Sequence, residues 1–268
     1  MSLFPFISKL FNNSIPISIK IFALVQPVAS STSLLYGTQT LTNNTEAMTV
    51  TELAWIPTNT PGAVRPEYIE AGRKAIDVQS EWTKAHAPTL PAGPRAARGA
   101  ALYQQVEDRS ITLVTAHWAS VAQHHEWIGS SENSAAMGNL GPMIDPSRVE
   151  FFHLEGVEMF PVDTIEQRLL TVLRILVQDD KKEKVERTWT EVRGSLEMVA
   201  GSEHRSGWRI ERQKDDDKME EFVIIGAWKE QAALTEFQNG KWNGREEWDK
   251  KWSEMGVVVD VKCYERLV

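Results

Sequence analysis

The sequence predicts an α+β chain made of two successive β-α-β-β-α-β units. Two observations carry that prediction. Stretches of period-two alternation and stretches of helical spacing follow one another in the same order twice over. The stretch His117–Trp127 also has a gapless counterpart at Ala227–Phe237, which matches Trp118 with Trp228, Ala122 with Ala232 and Glu126 with Glu236. Self-similarity of this kind marks a repeated structural unit. Trp127 meets Phe237, whereas His117, His124 and His125 meet Ala227, Leu234 and Thr235. One copy is apolar and the other carries imidazoles.

Composition bounds the function. The 268 residues include 42% apolar and 25% charged side chains, as in a soluble globular protein long enough for two domains. A formal net charge of −8 and the lack of a basic cluster interleaved with aromatics argue against nucleic acid as partner. The one cysteine, Cys263, lies in an apolar alternating run and reads as a buried thiol. No Cys/His spacing suggests zinc, so no metal is expected, and a reducing, cytoplasmic location is.

Residues 1–47 stand apart. They hold no acid before Glu46 and only Lys9 and Lys20 as bases. The apolar run Ile15–Val28 is interrupted by Lys20 and Pro27, too short and broken for a membrane span. This part reads as a disordered tail or a weak targeting segment, which leaves mitochondrial or secretory targeting open.

The first unit, residues 48–162, opens with the β-branched strand Met48–Ile56 and a Pro/Gly loop. Pro66 then suits the first turn of a helix reaching His86, with Ile69, Ile76 and Trp82 at helical spacing. Ala100–Val106 and Ile111–Trp118 form a hairpin, Ser120–Ile128 a short helix, and a polar Gly/Ser/Asn segment runs on to Pro146. Arg148–Phe160 is read as the closing strand.

The second unit, residues 163–268, repeats the order. Leu169–Val177 is a strand, and Lys181–Ala200 a helix with Val185, Trp189, Val192, Leu196 and Val199 on one stripe, stopped by Gly201. Trp208–Gln213 and Met219–Trp228 are read as a hairpin around Lys214–Lys218. A helix over Lys229–Phe237, a Trp-rich segment and the strand Val257–Leu267 complete it. Each unit is ferredoxin-like, with both helices on one sheet face. The bare faces must be covered, and two such sheets packed together close a barrel within one chain.

This order, with the junction Thr115–Ser120 leading to His125–Asn133, resembles the dimeric α/β-barrel superfamily and within it the antibiotic-biosynthesis-monooxygenase (ABM)-like proteins. The resemblance covers about residues 48–268. It implies an intramolecular version of the dimeric barrel, a monomer with an internal pseudo-dimer or a homodimer of such chains. Members include cofactor-independent oxygenases, polyketide cyclases and haem-degrading enzymes, and fold alone does not choose among them.

His117 ends the third strand on the face of Ile111, Leu113 and Thr115, opposite Val114, Ala116 and Trp118. Which face lines the barrel is open. A neutral imidazole turned inward is a candidate general base, and a satisfied strand-end histidine is the bland alternative. His124 aligns with Leu234 and shares a helix face with Trp127, so it is expected half-buried, as a base or as a packed ring. His125 and Glu126 are expected exposed. Asn133 is a candidate amide donor to an oxyanion, or turn chemistry. His153, beside Phe151 and Glu155, is a candidate pocket residue, as are Trp118 and Trp127.

No phosphate loop, dinucleotide fingerprint or nucleophile elbow is present. The function that the resemblance implies is cofactor-independent oxygenation of a polyketide or other aromatic metabolite, with His117 or His124 as base. The resemblance also admits a cyclase or decarboxylase, haem on an axial histidine, and a non-catalytic or stress-related binding barrel.

Overall fold

The structure, a computed structural model, describes residues 49–155, 160–211, 219–257 and 259–268. The tail read from the sequence lies outside these residues. The first half runs β1 (Val50–Pro57), α1 (Pro66–His86), β2 (Ala101–Gln105), β3 (Ile111–Trp118), α2 (Val121–Ile128), α3 (Ser131–Leu140) and β4 (Glu150–Leu154). After the single turn α4 (Val162–Ile165) come β5 (Leu169–Gln178), α5 (Lys182–Ala200), β6 (His204–Trp208), β7 (Met219–Trp228), α6 (Gln231–Gln238), α7 (Arg245–Ser253) and β8 (Val259–Arg266).

Local chemistry sets the boundaries. Pro66 occupies the first turn of α1, where its missing N–H is not needed. Ser120 caps α2, its hydroxyl accepting the Gln123 N–H at 3.1 Å. Ser130 caps α3 in the same way, through Asn133 N–H at 3.0 Å. Gly201, at φ 70°, ends α5 in the left-handed region.

Four expectations are corrected. The Ser/Asn-rich stretch contains the helix α3, whose Ser130 cap outweighs its weak apolar stripe. The Trp-rich stretch contains α7, which buries Trp248 and Trp252 one turn apart. The strand expected over Arg148–Phe160 pairs only over Glu150–Leu154, and the rest of it falls partly outside the described residues. The strand placed at Trp208–Gln213 is instead His204–Trp208, the stretch whose residues register with Phe222–Gly226, and residues 212–218, with the turn expected there, lie outside the described residues.

All the strands join one eight-stranded sheet in the order β4-β1-β3-β2-β8-β5-β7-β6. Every neighbouring pair is antiparallel, including β2 with β8, where Tyr103 faces Arg266 and Gln105 faces Tyr264. The two outer edges meet at a bridge between Leu154 and Arg209. Glu155 N–H donates to Trp208 O at 3.0 Å and Ile210 N–H to His153 O at 2.8 Å, so the sheet is nearly closed into a barrel. Closure removes exposed strand edges.

One sheet face fills the barrel, where Leu53, Leu113, Phe152, Leu170, Val223 and Tyr264 form a continuous core. The other face is covered by helices. Val50, Ala116 and Trp118 pack with Trp82 and Trp127 in the first half. Trp189, Trp228, Phe237, Trp242, Trp248 and Trp252 belong to the core of the second. The tryptophans of the Trp-rich segment, Trp242, Trp248 and Trp252, are buried in that core. Cys263 is buried as expected, and burial pushes its thiol up to about 12. Among the described residues no helix is long and apolar enough to cross a membrane.

Candidate active site

Strand register brings two distant polar side chains together beneath α2. Glu52 on β1 pairs with His153 on β4 and with Ala116 on β3, so all three point to the helix side of the sheet. Trp118, two residues beyond Ala116, shares that side. The capped first turn of α2 then sets His124 over them, its ring stacked on Trp118 at 4.5 Å between centroids.

The contacts form a chain. His124 Nδ1 meets His153 Nε2 at 2.8 Å, and His153 Nδ1 meets Glu211 Oε1 at 2.5 Å. The other Glu211 oxygen accepts the backbone N–H of His153 at 2.8 Å. At the inner end Trp118 Nε1–H donates to Glu52 Oε2 at 2.7 Å, and His124 Nε2 lies 3.4 Å from Glu52 Oε1. Phe151 closes the side, edge-on to both imidazoles.

These bonds assign the tautomers. The Glu211 carboxylate requires a proton on His153 Nδ1, which leaves His153 Nε2 to accept from His124 Nδ1–H. His124 Nε2 therefore carries a lone pair, and its approach to Glu52 is longer than a good hydrogen bond. Burial holds His124 well below the ordinary imidazole range, helped by His153 and His125, so the ring is neutral at pH 7. Burial also pushes Glu52 up to about 7, against the pull of His153 and the Trp118 bond. Glu211 is pushed up by burial too, but its bonds to His153 outweigh that and leave it below the usual carboxylate range.

Of the residues singled out from sequence, His124, His153 and Trp118 are brought together. Trp127 belongs to the adjoining aromatic layer, 5.6 Å from Trp82, which in turn lies 6.4 Å from Trp118. His125 and Glu126 are exposed, and His124 is more deeply buried than the half-buried position expected. Asn133 donates its side-chain amide to Ile128 O at 3.0 Å, away from this group.

His117 is on the opposite sheet face, inside the barrel, so the open question of its direction is answered. Among the described residues neither ring nitrogen has a partner, and burial pushes the ring down to about 4. It lies on Gly99, where a Cβ would sit 2.6 Å from its Nε2. His204 in the second half repeats this over Gly226, on the helix side, and is likewise pushed down to about 4 by burial.

Sequence reading missed Glu52 and Glu211. An acid at the helix-facing parity of an otherwise apolar strand was the available signal for Glu52. It also missed a second polar cluster within the barrel. Arg174 binds Glu221 and, at 2.9 Å, Glu150, while Arg209 reaches Glu221 at 2.9 Å. Both guanidinium groups lie over Phe152, and Arg174 also over Trp55, whose Nε1–H donates to Tyr264 Oη at 2.7 Å.

The fold is shared with solved proteins of distant sequence. An anthrone oxidase-like protein matches with a TM-score of 0.51 at 13% identity, covering 82% of this chain and 93% of that one. A candidate monooxygenase from Fusobacterium nucleatum matches with a TM-score of 0.52 at 6% identity, covering 83% and 94%. A haem-binding protein from Thermus thermophilus gives a TM-score of 0.45 at 9% identity, covering 82% and 92%. No protein-family model and no curated protein matches the chain.

Haem does not fit the buried histidines of the described residues. Among the buried histidines, the Nε2 atoms of His117 and His204 lie against glycines, where a Cβ would already sit 2.6 and 1.9 Å away, and the ring nitrogens of His124 and His153 are turned to one another and to the two carboxylates. Among the described residues no group of three His, Cys, Asp or Glu is arranged to hold a metal ion.

Proposed function

We propose that this protein is a small-molecule enzyme of the ABM-like class, built as two tandem ferredoxin-like units, that oxygenates a polyketide or other aromatic metabolite without a cofactor. The single observation that carries this is the buried imidazole pair held between two carboxylates, with a lone pair left on His124 Nε2. The 4-1-3-2 strand order within each half supports the tandem reading. The anthrone oxidase-like and monooxygenase-like neighbours support the class.

In this reading His124 takes a proton from an activated CH₂ or phenol. The electron pair stays on the substrate as a delocalised carbanion, which adds O₂ to form a C–O bond. Protonation gives a hydroperoxide, and loss of water leaves a carbonyl. His153 orients His124, and Trp118 and Trp127 supply aromatic surface for a flat substrate. His117, walled into the barrel, is not assigned to this step. The chain acts in the cytoplasm, alone or as a homodimer, without nucleic acid or membrane.

One observation favours a second reading. His124 and His153 are nearly inaccessible, at 4% and 0% exposure, so a substrate reaches them only if α2 yields. A polar core stabilising a non-catalytic binding barrel has the same static geometry. Oxygen uptake by the purified protein with polycyclic phenols and anthrone-type substrates separates the two. Turnover that His124→Leu abolishes while the fold persists supports the enzyme, and no uptake with any of them supports the binding barrel.

A further inference from the structure

We infer that Glu211, contributed by the second half of the chain, is the solvent end of a proton conduit that runs from His124 through His153. This rests on the reading of His124 as the base. A buried base must dispose of the proton it takes, and the route must consist of groups that can each accept one and pass another on. Here each link is a formed hydrogen bond, 2.8 Å between the imidazoles and 2.5 Å to the carboxylate.

Accessibility follows the same direction. The side chains of His124 and His153 are 5% and 0% exposed, whereas Glu211 is 35% exposed. The other end is closed, since Glu52 is 8% exposed and held by the Trp118 indole. His125 offers no exit, because its ring centroid is 6.4 Å from that of His124 with no hydrogen bond between them. Phe151 is apolar and carries no proton.

The step balances. The substrate C–H or O–H bond breaks and N–H forms at His124 Nε2, the electron pair remaining on the substrate. The Nδ1 proton of His124 moves to His153 Nε2, and that of His153 moves to Glu211 Oε1, which releases it to water. When the peroxide anion is protonated the same links run in reverse, and Glu211 takes up a proton from water. The tautomers then return to their starting state.

The geometry also changes what the second half is for. It lacks the imidazoles of the first, yet it supplies this carboxylate where the barrel seam closes. Ile210 N–H binds His153 O at 2.8 Å, and the next residue turns its carboxylate onto both nitrogens that His153 presents, one backbone and one ring. The site is incomplete without that seam.

The test is NMR on the full chain with ¹⁵N-labelled histidine, comparing wild type, Glu211→Gln and Glu211→Asp. Glutamine can accept the His153 Nδ1–H bond but cannot take the proton. The expected result is that E211Q keeps the imidazole tautomers and the melting temperature but slows exchange of the His124 and His153 ring protons with D₂O by at least tenfold. Aspartate restores most of the rate. On any substrate that turns over, E211Q lowers kcat by a similar factor with KM unchanged. Ring-proton exchange in E211Q as fast as in wild type overturns the conduit. Slowed exchange in a protein that turns over no substrate leaves the conduit standing and removes the assignment of His124 as catalytic base.

Discussion

His124 and His153 lie 29 residues apart and share a proton, Nδ1 to Nε2 at 2.8 Å, beneath a helix of only eight residues. Neither ring has another way to satisfy that nitrogen. His153→Leu leaves His124 Nδ1–H buried without a partner and strips Glu211 of the ring bond that holds it down, though the backbone N–H of residue 153 remains, so stability should fall by about 3 kcal/mol. His124→Leu should cost less, because it removes a ring without stranding a carboxylate on the surface side. In urea denaturation the double variant should be less destabilised than the sum of the two, with a coupling of about 1–2 kcal/mol. Strict additivity would mean that the pair is not coupled.

Stability should vary with pH in two opposing ways. His117 and His204 are pushed from 6.5 down to about 4 by burial, so the unfolded chain binds more protons than the folded one between those values. Their contribution is fully present above 6.5 and is lost as pH falls through about 4, by about 3 kcal/mol each at most. Glu52 has the opposite sign. Raised from 4.5 to about 7, it lets the folded chain hold an extra proton, so its contribution is lost as pH rises across that window. His117→Leu should flatten the acid limb of a stability–pH curve, and Glu52→Gln should remove the decline between 4.5 and 7. A curve unaltered in both variants would contradict the burial of these groups.

Glycine at 226 is required by a ring. A Cβ there would lie 1.9 Å from His204 Nε2, so Gly226→Ala must displace the imidazole or the strand. A loss of about 2 kcal/mol or more is expected from overpacking. Gly194, within α5, meets nothing within 4 Å, and Gly194→Ala should stabilise by about 0.5–1 kcal/mol. Thermal melts of the two variants should therefore move in opposite directions.

The barrel interior carries its own charge balance. Glu221 is 3% exposed at the side chain and is bound by both Arg174 and Arg209. Arg174→Met leaves two carboxylates facing one guanidinium and removes the contact over Trp55. A loss of about 3 kcal/mol is expected, and it should be partly recovered by adding Glu150→Gln. Equal destabilisation in the single and double variants would show that the packing of Arg174, not its charge, matters.

The strand and helix order was legible because each element carries its own periodicity, and the repeat exposed His124 as a departure from an apolar position. The inward direction of His117 was not, since both faces of β3 alternate polar and apolar residues. Helix α3 is not legible in the sequence because Ser, Asn and Gly mark loops more often than capped helices, and only Ser130 as cap and Glu132 in the first turn mark its start. Glu52 was visible as an acid in an apolar strand. Glu211 was not, because its role depends on a seam between strands 58 residues from His153. The Arg174–Glu221 cluster was hidden for the same reason, since Glu150, Arg174, Arg209 and Glu221 lie far apart in sequence and meet only where the barrel closes.

The most direct measurement is hydrogen–deuterium exchange at the acidic C–H of an anthrone-type substrate in D₂O without oxygen, followed by NMR. Base-assisted deprotonation needs no O₂, so exchange isolates the proton step from everything after it. Wild type should exchange the substrate proton well above the buffer rate, and His124→Leu, folded by circular dichroism, should fall to that rate. Exchange at the buffer rate in wild type, or equally fast in both proteins, would contradict the assignment of His124 as the catalytic base.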